Sequence, residues 1–349
     1  MKKIDFVFQE SPEAGELYRI TEGVYWFPMP LPMMGPDYVN CYILDDGQEI
    51  ALIDTGANIG DSKQIWESTL KKNFPNKKIS NVYVTHHHPD HIGLAGWLSE
   101  KYNAEIICSR TTYLMAKMLS LDVHEKVSSS TERFWRQAGM SEEMLEEKLR
   151  ARPFNFGDGV SPLEKGFKRI SENEIIKING VDWVVRMGNG HAPEHSTLWS
   201  KELNLVLAGD QVLPGISSNL GVYPTEPNAD TVGDWIKSCE KFLKLASDDH
   251  VVLPGHGRPF SGLPQRLVQL IENHDAALKR IMEDLRSGPR TTVELFKAIF
   301  KRDINKKEYM LALHEAVGHV NHLHKTGSVY RDVRTDGAFI FKLNNYIGG

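Results

Sequence analysis

Hydrophobic positions along the chain fall into short runs with two different periods. From Gly23, "VYWFPMPLP" and "VNCYILDDGQEIALIDTG" read as strands, and the "DDGQ" turn joins the two apolar runs of the second stretch into a hairpin. Antiparallel strands therefore open the fold. After Asp54 the spacing alternates: "DSKQIWESTLKKNF" is helical, "NVYVTH" a strand, "IGLAGWLSEKY" a helix, "AEIICS" a strand and "RTTYLMAKMLSL" a helix. Residues 121–170 break this rhythm with charged helical stretches and an irregular tail, which predicts an insertion. Its aromatics Phe134, Trp135, Phe154 and Phe156 suit either the roof of a pocket or an amphipathic pair docked on the sheet. Strands return in "NEIIKINGVDWVVRMG", with an Asn-Gly turn, and in "HSTLWSKELNLVLAGD", which implies a second sheet. From about residue 262, three helical stretches and the hairpin "SVYRDVRTDGAFIFKL" predict a winged helix-turn-helix.

Length turns these elements into two expected domains, a large α/β unit over 1–261 with the insertion at 121–170, and a small helical unit over 262–349. A hydrophobic content of 41% is that of an ordinary globular chain, and a net charge of -5 argues against a surface built to embrace nucleic acid. Residues 262–349 carry fourteen Lys and Arg against ten Asp and Glu, an excess too small to signal nucleic-acid contact. No apolar window approaches a signal peptide or a membrane span, so the expected location is the cytoplasm. Cys41, Cys108 and Cys239 lie far apart beside apolar segments and read as buried thiols.

The chemistry concentrates at strand ends. "VTHHHPDHIG" places His86, His88, Asp90 and His91 where a strand turns into a helix, so that alternate side chains can face two metals while His87 points away. Three later stretches each end an apolar strand in a Gly-containing turn with one ligand-type residue: His191 in "GNGHAPEHS", Asp210 in "VLAGDQV" and His256 in "LPGHGRP". These residues divide into a three-histidine site of His86, His88 and His191 and a second site of Asp90, His91 and His256, with Asp210 bridging. Two divalent ions so held make a hydroxide at neutral pH and polarise a carbonyl or phosphoryl oxygen, which points to hydrolysis.

The run "HHHPDHIG", followed by "GHAPEH", "AGDQV" and "PGHG", resembles the metallo-β-lactamase superfamily over residues 20–260. The resemblance implies a four-layer αβ/βα sandwich with metals at one edge between two sheets, the ligand roles given above, and Asp54 in "LIDTG" as the partner that steadies the metal-binding loop. The C-terminal winged helix looks like that of a lactamase-like branch containing presumed thioesterases and single-strand endoribonucleases. His88, where di-iron oxygen-reducing relatives carry Glu, favours two zinc ions over manganese or iron. Glu194 stands where related motifs often have Gly, leaving His195 between a catalytic donor and a buttress of its loop.

The expected activity is therefore metal-dependent hydrolysis of a small thioester, ester or lactone, with Asp90 and His195 as catalytic candidates. Met33, Met34, Tyr38, Phe134 and Trp135 are candidates for an apolar substrate pocket. An endoribonuclease or other phosphodiesterase is the alternative, although the insertion's Arg133, Arg136, Lys148, Arg150 and Arg152 are interleaved with glutamates. A small-molecule substrate, no membrane partner and self-association complete the expectations.

Overall fold

A computed structural model describes residues 4–13, 15–31 and 36–344. Met33 and Met34 lie outside the described residues. The chain divides into two compact units, one formed by residues 1–123, 155–218 and 242–267, the other by 124–154, 219–241 and 268–349. Residues 124–154, part of the insertion, cluster with 219–241 and 268–349, whereas 155–170 belong to the first unit.

The first unit is an α/β sandwich of two seven-stranded sheets with helices. Its strands are β1 (Asp5–Phe6), β2 (Tyr18–Thr21), β3 (Val24–Pro30), β4 (Tyr38–Asp46), β5 (Glu49–Ile53), β6 (Lys78–Tyr83), β7 (Glu105–Cys108), β8 (Phe167–Arg169), β9 (Ile175–Ile178), β10 (Val181–Gly188), β11 (His195–Ser200), β12 (Leu205–Gly209), β13 (Val251–Pro254) and β14 (Phe260–Ser261). One sheet runs β2 to β8 in chain order, antiparallel as far as β5 and parallel from β5 to β8. The parallel part requires crossovers, supplied by helices α1 (Ser62–Asn73), α2 (Pro89–Ile92), α3 (Ala95–Tyr102) and α4 (Arg110–Leu121). The other sheet has the order β1-β14-β13-β12-β11-β10-β9, with only β12 and β13 parallel.

Strand alternation explains the layers. On β4, Val39, Cys41 and Ile43 face the helices and join a core with Trp66, Leu70, Leu98 and Ala116, whereas Tyr42 and Leu44 turn inward between the sheets to meet Trp183, Val185, Leu198, Leu207 and Leu253. On the far face of the second sheet, Trp199 packs against Phe242 with ring centroids 5.6 Å apart. All three cysteines are free and buried.

The second unit contains α5 (Ser129–Gln137), α6 (Glu142–Arg150), most of α7 (Thr231–Leu243) and α8 (Leu263–Leu285), α9 (Phe296–Phe300), α10 (Tyr309–Lys325) and the hairpin β15 (Val329–Val333) with β16 (Phe339–Leu343). The Val293 amide donates to the Ala138 carbonyl at 3.2 Å, which ties the insertion to the C-terminal segment within this unit. Among the described residues no helix is long and apolar enough to cross a membrane.

Candidate metal centre

The seven predicted ligands converge at the ends of strands in the first unit. His86 follows β6, whose last residues are buried, and Pro89 opens α2 with the fixed backbone angle that suits a first helical position. His88, Asp90 and His91 are thereby presented over one tight turn. His191 sits in the β10–β11 connection, Asp210 directly after β12 and His256 just beyond β13.

His86 Nε2 lies 3.0 Å from His88 Nδ1 and 3.2 Å from His191 Nε2. Three nitrogens bound to one tetrahedral zinc-like ion would stand about 3.3 Å apart, given bonds of about 2.0–2.1 Å, so this trio matches such a donor set. In the second group, His256 Nε2 is 3.2 Å from Asp90 Oδ2, and His91 Nε2 is 3.6 Å from the same oxygen. Asp210 reaches both groups: Oδ1 is 3.3 Å from His91 Nε2, and Oδ2 is 3.4 Å from His256 Nε2 and 3.5 Å from His191 Nε2. His91 Nε2 and Asp210 Oδ1 are both buried without a hydrogen-bond partner. Buried polar atoms are seldom left so, and a cation between them would satisfy both. These His and Asp clusters could hold metal ions.

Electrostatics agree with that fit. Burial, together with the neighbouring imidazoles, holds His86 and His88 well below the usual histidine range. Burial also works against a charge on His91 and His256, but the carboxylates around them prevail: Asp210, Asp90 and Asp54 raise His91 well above its usual range, and Asp210 and Asp90 push His256 up to about 10. One half of the centre is a neutral nitrogen cage and the other a strongly negative pocket.

Hydrogen bonds fix which nitrogen of each ring faces the centre. Asp54, in the left-handed region at φ 58°, accepts the Thr85 amide on Oδ1 and the Thr85 hydroxyl on Oδ2, each at 2.8 Å. His91 Nδ1 also lies 2.8 Å from Asp54 Oδ2, so it donates there and leaves Nε2 toward Asp210. The Thr85 hydroxyl, its proton directed at Asp54, accepts from His86 Nδ1 at 3.0 Å, which turns the His86 Nε2 lone pair inward. His256 Nδ1 donates to the Tyr38 carbonyl at 2.8 Å.

Of the remaining candidates, His195 is wholly buried, stacked on His86 with centroids 4.5 Å apart, and its Nε2 accepts the Asp210 amide at 3.1 Å. His87 turns aside toward Phe156, as its position in the strand end suggests. Phe134 and Trp135 are buried residues of the second unit.

Two features escaped the sequence reading. Asn40 is fully buried on β4; its Oδ1 accepts Trp26 Nε1 at 2.7 Å, and its Nδ2 donates to the Pro254 and Gly257 carbonyls at 2.8 and 2.7 Å, clamping the turn that carries His256. The available signal was a lone amide inside the apolar run "VNCYIL". Gly255 is the second: a methyl there would overlap Asp210 Oδ1 and come within 2.8 Å of His91 Cε1.

Residues 34–256 match the model of the metallo-beta-lactamase superfamily, and residues 278–344 that of the metallo-beta-lactamase-like C-terminal domain. The chain therefore belongs to the metallo-beta-lactamase superfamily, and within it to the metallo-hydrolases. It is 24% identical over 315 residues to a probable metallo-hydrolase, YqjP, of Bacillus subtilis (strain 168), covering 86% of this chain and 92% of that one. A beta-lactamase domain protein from Burkholderia ambifaria superposes with a TM-score of 0.88 at 28% identity, over 98% of each chain. An atrochrysone carboxyl ACP thioesterase of Aspergillus fumigatus is 23% identical over 82% of this chain and 57% of its own length. The hydroxyacylglutathione hydrolase GloC of Haemophilus influenzae is 25% identical over 62% of this chain and 85% of its own.

Proposed function

We propose that this chain holds two divalent ions, zinc by the chemistry of its donors, and hydrolyses a small thioester or a related ester or lactone. The observation that carries the two-ion reading is Asp210, whose Oδ1 lies near His91 and whose Oδ2 lies near both His256 and His191, so that one carboxylate reaches donors of both groups. His86, His88 and His191 would hold one ion, and Asp90, His91 and His256 the other, with Asp210 between them. Ions bound there would supply a deprotonated water at neutral pH and a Lewis acid for the carbonyl oxygen.

The chain's own residues set the rest. Asp54 orients His86 and His91, His195 fixes the Asp210 backbone, and Asn40 fixes the His256 turn. We assign the proton of the attacking water to Asp90, whose side chain is 21% exposed against 8% for Asp210. His195 is a positioning residue in this reading, because its Nε2 is engaged and its ring is sealed behind His86. With His195 held in that role, a good leaving group is favoured, and a thiolate needs no strong general acid. The names of two relatives, a carboxyl ACP thioesterase and a hydroxyacylglutathione hydrolase, support an acyl substrate. Tyr38 remains a candidate for contact with substrate.

A single-strand ribonuclease would need unpaired cations. Several of the insertion's are already paired, Arg136 with Glu132 and Glu142, Arg150 with Glu146 and Arg152 with Glu125, so it ranks second. The winged-helix reading of residues 262–349 and self-association are likewise proposals. Purified, metal-loaded chain assayed on an acyl-CoA thioester, a simple lactone and a single-stranded RNA, beside His88→Ala, tests the proposal. Thioester or lactone turnover lost in the variant supports it, and RNA cleavage with inert esters reverses it.

A further inference from the structure

The second unit contains a cavity of about 300 Å³. Its volume is at the small end of the range for small-molecule sites, about 300–1,000 Å³. The apolar lining includes Phe134 on α5, Val320 on α10 and Phe341 on β16, all buried. Two arginines belong to the same lining, the exposed Arg133 and the half-buried Arg331.

Among the described residues no carboxylate pairs with Arg133 or Arg331, in contrast to the neighbouring Arg136, held by Glu132 and Glu142. Arg331 is half-buried; its Cζ lies 4.2 Å from the Phe339 ring centroid, and its Nη1 lies 3.4 Å from Asn228 Oδ1. Burial pulls its guanidinium below the usual arginine range, the mark of a cation kept partly from water. The half-buried Gln137 amide on the same lining has no protein partner among the described residues either. A largely apolar lining that carries two arginines with no carboxylate partner among the described residues is complementary to an oxyanion carried on an apolar body, since arginine forks bind carboxylate and phosphate groups in pairs of hydrogen bonds.

We propose that this cavity is a second ligand site, separate in its residues from the metal centre, that binds a small organic acid by pairing its carboxylate or phosphate with Arg331 and Arg133 while its apolar body lies against Phe134, Val320 and Phe341. The proposal does not depend on which substrate is hydrolysed, because none of these residues belongs to the metal clusters.

Calorimetric titration of the full chain with decanoate, decyl phosphate and decanol tests it. At least one of the two acids saturates a single site per chain, the tighter of them identifying the head group, and decanol binds about tenfold more weakly or worse, as expected for loss of a charge-assisted hydrogen bond. Arg331→Gln weakens the acid about tenfold or more at an unchanged thermal midpoint, Arg133→Gln weakens it several-fold, and His88→Ala leaves it intact. Val320→Phe, which fills the buried end, blocks binding; if that variant does not fold, the arginine pair decides. Equal binding of acid and alcohol, affinity within twofold in both arginine variants, or loss in His88→Ala with retention in Arg331→Gln would overturn the site. So would displacement of the acid by a short oligoribonucleotide that depends on the same arginines.

Discussion

Asp54 supports one sharp test, because a single carboxylate sets the tautomers of histidines in both clusters. Asparagine is close to its shape and tolerates the left-handed backbone at φ 58°, so Asp54→Asn changes hydrogen bonding with little backbone cost. Its amide has two placements. With Nδ2 at the position of Oδ1, it confronts the Thr85 amide, donor against donor, 2.8 Å away. With Nδ2 at the position of Oδ2, it must donate to the Thr85 hydroxyl or to His91 Nδ1, and the proton on that ring moves to Nε2, the atom needed by the metal. The first placement opposes two buried donors, which costs about 1–3 kcal/mol, and the second satisfies them only by putting a proton on the nitrogen that should face the metal. The expected loss in metal affinity is about 10- to 100-fold. Competition with a chromophoric chelator measures it, and nitrogen-15 spectra of the metal-free protein report the ring tautomers directly. Metal affinity within twofold of wild type, with His86 and His91 tautomers unchanged, would refute the reasoning.

Three further outcomes are expected. Gly255→Ala folds but loses ions from the Asp210 side of the centre, because its methyl overlaps Asp210 Oδ1; full metal content by elemental analysis would contradict this. Asn40→Ala strands Trp26 Nε1 and takes one donor from the Gly257 carbonyl, while the Pro254 carbonyl keeps the Tyr42 hydroxyl, and it lowers stability by about 2 kcal/mol in urea unfolding, whereas a change under 0.5 kcal/mol, roughly that of an ordinary surface substitution, would exclude the clamp. In the second unit, burial lowers His274 to about 3 and His319 to about 4. Their folded values lie below the unfolded value near 6.5, so the unfolded chain takes up protons first and stability falls as pH drops below that point, by about 1.4 kcal/mol per histidine per pH unit. Urea midpoints from pH 7.5 to 5.5 check the slope, and a flat profile in that unit counts against it.

Much of the centre was legible because each donor ends an apolar strand, a local pattern that needs no knowledge of distant partners. The same locality made α1, α4 and the β9–β10 hairpin readable from period alone. What the pattern could not carry is pairing across the chain. β1 joins β14 through Asp5–Phe6 and Phe260–Ser261, two-residue strands too short to show alternation. Helix α7 went unassigned, its "TVGDWIKSC" start rich in glycine, β-branched and aromatic residues that favour helices weakly. The grouping of 124–154 with 219–241 and 268–349 rests on contacts between segments far apart in sequence. Asn40 and His195 act through such long-range hydrogen bonds, which is why one was missed and the other stood between two roles.

The central claim is that the two clusters hold the ions on which hydrolysis depends. The most direct measurement is stepwise titration of chelator-stripped protein with zinc, following bound metal by elemental analysis and thioester or lactone turnover on the same samples. Turnover that rises with metal to two equivalents per chain, and fails in His88→Ala and Asp210→Ala, is the predicted result. Turnover that persists in the stripped protein, or saturation at no bound metal, would contradict the account.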